Sequence, residues 1–208
     1  MKRRPSAQVI LVGGLALVSA GACSLKSETA PSRFYMLRSL PTDASSPATQ
    51  DAGGPVLVLG PVRIAAYLDR PQIVTKGSGS EVKLSEFERW AEPLKDNVKA
   101  VLASNLSVLV PTERVSFYPA RLPADVDLRI SVEVLRFDGS LGGEAVLEAR
   151  WSLLGSDAEE PIFTKRSLFE QATGGPGYDA FVEALNRALE ALSREVAQEV
   201  RRVVAPQP

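Results

Sequence analysis

Apolar residues along this chain follow two spacings, and the switches between them mark out the elements. β-type runs come first: Phe34–Leu37, then Val56–Ile64, which Gly60-Pro61 interrupts as a bulge or an edge position would. Gln72–Thr75 and Glu81–Leu84 flank Lys76-Gly77-Ser78-Gly79-Ser80, a hairpin-like connection. The spacing then turns helical. Leu94, Val98, Val101, Leu102, Asn105, Leu106 and Leu109 share one stripe, Pro93 suits a first helical position, and Pro111 ends the run. Arg114–Tyr118 is a further short strand. Strict alternation follows, with Leu128, Ile130, Val132 and Val134 set against Arg129, Ser131 and Glu133. Ala145, Leu147, Ala149, Trp151 and Leu153 alternate with polar neighbours in the same way, and a third strand covers Ile162–Phe169. Turn-forming residues at Asp138-Gly139 and Gly155-Ser156-Asp157 make these three an antiparallel meander. Such alternation means one face is buried and the other is solvated or covered by a partner.

The final element runs from about Tyr178 to Val204. Phe181, Leu185, Ala188, Leu189, Leu192, Val196, Val200 and Val203 form one stripe, opposite Glu183, Arg187, Glu190, Arg194, Glu195, Glu199 and Arg201. A helix of that length reaches ~40 Å. The expected architecture is α+β: a single domain with a mostly antiparallel or mixed β-sheet and two main amphipathic helices packed on it. Ser39–Pro55, rich in Ser, Thr, Ala, Pro, Asp and Gly, reads as a long polar loop.

The amino terminus has a different pattern. Lys2-Arg3-Arg4 is basic, Val9–Val18 is apolar, and Ser19-Ala20-Gly21-Ala22 is uniformly small, the order of a secretory signal peptide. Cys23 follows at once, so Ala20-Gly21-Ala22-Cys23 resembles a bacterial lipobox with Ala20 where Leu is usual. In a lipobox the thiol takes a diacylglycerol, the chain is cut before the cysteine, and the new amino group is acylated. Ordinary cleavage after Ala22 would instead leave a free thiol, and retention of residues 5–25 would leave a Gly- and Ser-diluted membrane span of about the required length. The sole cysteine stands at the one position where lipidation needs it. The expected layout is a lipoprotein signal peptide at 1–22, a tether at 23–33 and a folded domain at 34–205. Several acyl chains at about 0.8 kcal/mol per buried methylene anchor durably. Ser24, in place of Asp, matches the Gram-negative pattern for delivery to the periplasmic face of the outer membrane. From Cys23 to Phe34 is about ten residues, at most ~35 Å, so the body stays near the membrane.

Composition narrows the chemistry. The 208 residues, 45% hydrophobic, suffice for one respectable core. Without Lys2, Arg3 and Arg4 the chain carries 21 basic and 25 acidic side chains, a net of −4, which argues against a nucleic-acid partner. There is no histidine, so no Ser-His-Asp triad can form, and one cysteine allows neither an internal disulfide nor a Cys/His zinc site. Gly175-Pro176-Gly177-Tyr178-Asp179-Ala180 matches a loose dinucleotide pattern but lacks the following parallel strand, so it reads as a loop leading into a helix. Asp157, Glu159 and Glu160 read as a solvated turn rather than a calcium site. No metal, cofactor or catalytic residue is expected, and the chain is not read as an enzyme, although a Ser–Lys dyad or paired carboxylates stay open.

The least periodic stretch is Tyr67-Leu68-Asp69-Arg70-Pro71-Gln72-Ile73-Val74, followed by Phe87-Glu88-Arg89-Trp90-Ala91-Glu92-Pro93-Leu94. One reading has Trp90 pinning the start of the helix to the sheet while Asp69–Arg70 closes a turn. The other makes Tyr67, Leu68, Asp69, Arg70, Pro71, Arg89 and Trp90 a partner or oligomer interface, since Trp, Tyr and Arg are favoured at interface hot spots.

These two motifs, with a helix ending Leu102-Ala-Ser-Asn-Leu106 and the early Phe34-Tyr35-x-Leu37 strand, resemble the PqiC/YmbA-like family of ABC-type transport auxiliary lipoproteins. The resemblance spans roughly Arg33 to Val204, and departs from the family at Ala65-Ala66, where a proline is expected. It implies an outer-membrane lipoprotein working in lipid traffic with an MCE-domain periplasmic protein and an inner-membrane permease, as a ring-shaped homo-oligomer. The contacts would lie on the polar face of the sheet or on the two motifs. A periplasmic protein that holds a lipid itself is the second reading, and would need an apolar pocket. An envelope hydrolase is the third.

Overall fold

Where the apolar spacing alternates strictly, strands form, and where it recurs at three and four residues, helices form. The computed structural model describes residues 30–41, 54–110, 112, 114–118, 125–156 and 160–205. The chain divides into Met1–Ala30 and Pro31–Pro208, and the fold belongs to the second unit. Cys23, the signal segment, most of the 39–55 loop, Pro111, Asp157 and Glu159 lie outside the described residues.

In chain order the elements are β1 (Arg33–Tyr35), β2 (Leu57–Ile64), a 3-10 turn (Ala66–Leu68), β3 (Gln72–Lys76), β4 (Val82–Trp90), α1 (Leu94–Leu109), β5 (Val115–Phe117), β6 (Leu128–Gly139), β7 (Glu144–Gly155), β8 (Phe163–Ala172) and α2 (Tyr178–Val204). The strands form a five-stranded sheet ordered β5-β2-β6-β7-β8 and a three-stranded sheet ordered β1-β4-β3. The α+β class, both helices and the β6–β8 meander agree with the sequence reading. One feature differs from it: there are two sheets rather than one. Both are mixed, within the expected class: β2 runs parallel to both β5 and β6, and β1 runs parallel to β4. Parallel partners are joined through long intervening chain, so no local turn signal announces them. At Gly60-Pro61 the register shifts between Leu59 and Val62, the bulge option, and β2 is an interior strand.

Asp138 and Gly139, expected in a turn, are instead the last paired residues of β6, opposite Val146 and Ala145. The turn lies beyond them, closed by Ser140 N–H to the Glu144 carbonyl at 2.9 Å and Gly143 N–H to the Ser140 carbonyl at 3.0 Å. Gly139 is required there: φ is +152°, and a Cβ would stand 2.1 Å from the Glu144 carbonyl oxygen.

Ile130, Val132 and Val134 of β6 and Leu147, Ala149, Trp151 and Leu153 of β7 are buried in one core with the stripes of α1 and α2. The Trp151 indole N–H reaches Ser167 Oγ at 3.1 Å and Glu195 Oε1 at 3.3 Å, and Lys165 Nζ holds Glu195 Oε2 at 2.8 Å. Burial alone would raise the Glu195 pKa, but hydrogen bonds from Lys165, Ser167 and Trp151 outweigh it and hold the carboxyl below its ordinary value.

After β1 the chain is strapped across both helices by three asparagines. Asn97 accepts the Leu37 N–H at 2.7 Å, Asn186 the Arg38 N–H at 2.9 Å, and Asn105 the Leu40 N–H at 2.7 Å. Asn105 also donates to Ser193 Oγ at 2.9 Å, which in turn donates to the Leu189 carbonyl at 2.7 Å. An extended segment without a strand partner thus satisfies its amides on side chains. Asn105→Ala should strand the Leu40 amide and cost about 1–3 kcal/mol, read as a lowered urea midpoint at unchanged slope. An unchanged midpoint would show that the strap contributes nothing to stability.

Candidate functional site

The two non-periodic motifs meet in the fold. Gln72 of β3 pairs with Arg89 of β4, and the Trp90 N–H donates to the Pro71 carbonyl at 2.7 Å. On the other edge of β4, Phe34 pairs with Arg89 and Tyr35 with Trp90. The Ala91 N–H closes that side on the Tyr35 carbonyl at 2.9 Å. Tyr67 to Pro71, Arg89, Trp90 and β1 therefore form one locality at the end of the three-stranded sheet.

Within it the side chains divide by direction. Trp90 is 5% exposed and Leu68 1%. The Trp90 ring lies 6.3 Å from that of Phe137, so both motif residues serve the core beneath the site. Asp69 and Arg70 close a turn through their backbone: the Asp69 N–H meets the Ala66 carbonyl at 3.3 Å, and the Arg70 N–H meets that of Leu68 at 2.8 Å. The turn expected at Asp69–Arg70 is present, and Trp90 packs β4 against Phe137 of β6. Asp69 and Pro71 are exposed, and Tyr67, Arg70 and Arg89 are half-buried.

Tyr67 is committed to a polar cluster. Its hydroxyl donates to Asp138 Oδ2 at 2.6 Å, while Arg136 Nη2 reaches Asp138 Oδ1 at 3.1 Å and Lys76 Nζ lies 4.0 Å away. Burial, then the hydrogen bond to Asp138, pushes the Tyr67 pKa well above its ordinary value. A cavity of about 260 Å³ opens here, lined in part by Tyr67, Lys76, Arg136 and Asp138. Tyr35 is held the same way: its hydroxyl donates to Glu88 Oε2 at 2.6 Å, and burial and that carboxylate raise its pKa. Arg33 bridges Glu88 at 3.7 Å and Asp179 of α2 at 2.5 Å.

Arg70 and Arg89 differ from their neighbours. The Nε of each is buried without a hydrogen-bond partner, and neither guanidinium has an ion pair among the described residues. Phe34, 64% exposed, Met36, 52%, and Phe87, 36%, lie around Arg89. Sequence reasoning missed Asp138, read as a turn residue, and the exposed apolar side chains. For Phe34 and Met36 a signal existed, because they alternate with Tyr35 and Leu37 and only one pair can face the core.

The arrangement offers donors and apolar surface, with no nucleophile set beside a base. Among the described residues no group of three or more His, Cys, Asp or Glu could hold a metal ion, and no helix is long and apolar enough to cross a membrane. Tyr67→Phe should cost about 1–2 kcal/mol at neutral pH by removing a donor from buried Asp138. A raised phenol pKa stabilises the fold fully below pH ~10 and progressively less above it. The wild type should therefore lose stability as the pH rises from ~10 toward ~12 in urea titrations, and Tyr67→Phe should lose less. Parallel pH curves for the two would remove Tyr67 from this account.

Comparison with known proteins places these features. The chain is 24% identical over 170 residues to the intermembrane transport lipoprotein PqiC of Escherichia coli (strain K12), covering 82% of this chain and 87% of that one. Its fold matches a crystal structure of an uncharacterized protein at a TM-score of 0.68, with 21% identity over 82% of this chain and 99% of that one. A crystal structure of a Xanthomonas campestris protein matches at 0.64, with 17% identity over 81% and 94%. The sequence model for the ABC-type transport auxiliary lipoprotein component matches residues 35–197, a span that holds both motifs, the asparagine strap and most of α2. The chain belongs to the family of ABC-type transport auxiliary lipoprotein components.

Proposed function

We propose that this chain is an outer-membrane lipoprotein, anchored on the periplasmic face through Cys23, that acts as a non-catalytic docking component of an MCE-type system moving phospholipids across the envelope. The observation that carries this reading is the family match over residues 35–197, preceded in the sequence by a signal-like segment ending at the sole cysteine. An MCE-domain periplasmic protein and an inner-membrane permease are the partners, and the working form is a homo-oligomer. The chemistry agrees with a docking role. The chain has no histidine, and the titratable cluster at the site is engaged within itself, Tyr67 and Arg136 both bonded to Asp138.

The protein partner is assigned to the side of the five-stranded sheet turned away from the helices, toward β8. There Arg150 pairs with Glu133 at 3.5 Å, Arg166 with Glu148 at 2.5 Å, and Leu168 stands exposed beside them. The alternative, a carrier holding lipid inside itself, needs an apolar enclosure for acyl chains. The cavities at Tyr67–Asp138 and at Arg38–Glu190, about 260 and 380 Å³, are lined largely by charged and polar side chains.

In a Gram-negative host, the full-length wild type should carry acyl mass, fractionate with the outer membrane and co-purify with the MCE protein, while Cys23→Ala loses the first two. A soluble wild type starting at unmodified Cys23 would sink the anchor. Arg150→Glu with Arg166→Glu should abolish the co-purification and leave stability within about 1 kcal/mol, since exposed pairs contribute little. Retained co-purification would move the partner to another face.

A further inference from the structure

The outward side of the three-stranded sheet carries features that docking a protein on the larger sheet leaves unused. Phe34 stands opposite Arg89, and Phe87 precedes Arg89 by two residues, so strand alternation brings all three to one side. Met36 lies just past β1, and Val82 and Leu84 are exposed farther along β4. Apolar side chains exposed together on so small a sheet are of the kind that mark an interaction surface.

Arg70 and Arg89 flank the Pro71–Trp90 hydrogen bond. Their neighbours are matched: Arg33 has Glu88 and Asp179, and Arg136 has Asp138. These two have no ion pair among the described residues, and each, like Arg136, holds a buried Nε–H with no acceptor. A guanidinium is suited to phosphate oxygens, and aromatic and methionine side chains are suited to the boundary between headgroups and acyl chains. Asp69 and Glu86 lie in the same stretches of chain, so the complementarity is to individual phosphates rather than to a broad negative field.

Chain connectivity selects the source of those phosphates. Cys23 precedes Phe34 by about ten residues, a reach of at most ~35 Å, and the first strand of the folded body is β1 of this sheet. A lipid on Cys23 therefore keeps the start of this sheet within reach of the bilayer. We infer that the outward side of the three-stranded sheet, through Phe34, Met36, Phe87, Arg70 and Arg89, seats on the phospholipid surface beside the anchor. The inference rests on the lipidation of Cys23.

The test uses the full-length lipidated protein in vesicles of phosphatidylethanolamine and phosphatidylglycerol. A fluorophore is placed on Met36→Cys or, as a reference on α2, on Arg194→Cys, and quenched by nitroxide carried in the headgroup region. The Met36 position should be quenched severalfold more strongly than the Arg194 position. Arg70→Gln and Arg89→Gln should each lower the ratio of seated to unseated protein about fivefold. Equal quenching at the two positions overturns the inference. So does a Met36 position that stays unquenched on vesicles and becomes protected only when the MCE partner is added, which would make this a protein interface. Failure of the wild type to float with vesicles marks instead the failure of the lipid anchor. The same labelled chains, carrying Cys23→Ser so that only the introduced thiol takes the fluorophore and held by an amino-terminal histidine tag on a nickel-chelating lipid, then decide by the same contrast.

Discussion

The Trp90 amide donates to the Pro71 carbonyl, and the next amide along, that of Ala91, donates to the Tyr35 carbonyl. Successive residues thus bind β4 to the chain on either side of it, just before α1 begins at Leu94. The indole between those two bonds is buried against Phe137, which locks the strand's rotation as well as its register. Side chains on a strand alternate, so a slip of one residue would turn Arg89 inward and Trp90 out. Every feature of the site's outer side depends on that register being held. The bulge in β4 between the Gln72 and Val74 pairings makes the constraint more important, because the ladder alone does not carry register past it.

Relative magnitudes explain which motif residues are structural. Burying a side chain the size of Leu68 or Trp90 is worth about 1.5–3 kcal/mol or more. A surface ion pair is worth about 0–1 kcal/mol. The apolar members of the motif therefore carry its stability, and the charged members are free to be chosen for what they meet outside. Tyr67 lies between the two classes. Its ring packs against the core and its hydroxyl is spent on Asp138, so it braces the site from within.

Much of this fold was legible in the sequence because its longest elements are strongly periodic. The α2 stripe from Phe181 to Val200 is buried as its spacing predicts, and the β6 and β7 alternations give the covered face correctly. What stayed hidden is long-range. Nothing local in Leu57–Ile64 states that it will run parallel to a strand some seventy residues later, and Asp138-Gly139 has the composition of a turn although the pairing runs through it. At the site, the two motifs stood out by composition, but their division into buried Leu68 and Trp90 and outward Arg70 and Arg89 required the register. The free guanidinium donors were invisible for the same reason, since being unpaired is a property of all neighbours at once.

Two carboxylates brace the fold from within: buried Asp138 holds β6 to the 3-10 turn, and half-buried Glu195 holds α2 to β8. The uncommitted polar groups lie at a sheet surface. The proposed seat between a bilayer and a protein conduit would call for two surfaces of different chemistry on one body. A large sheet braced by two helices supplies the rigidity, and a small sheet at the start of the chain supplies a second face without disturbing the first. The asparagine strap follows from that division. The segment that follows β1 is fixed by side chains of α1 and α2, so β1 is held to both helices as well as to β4.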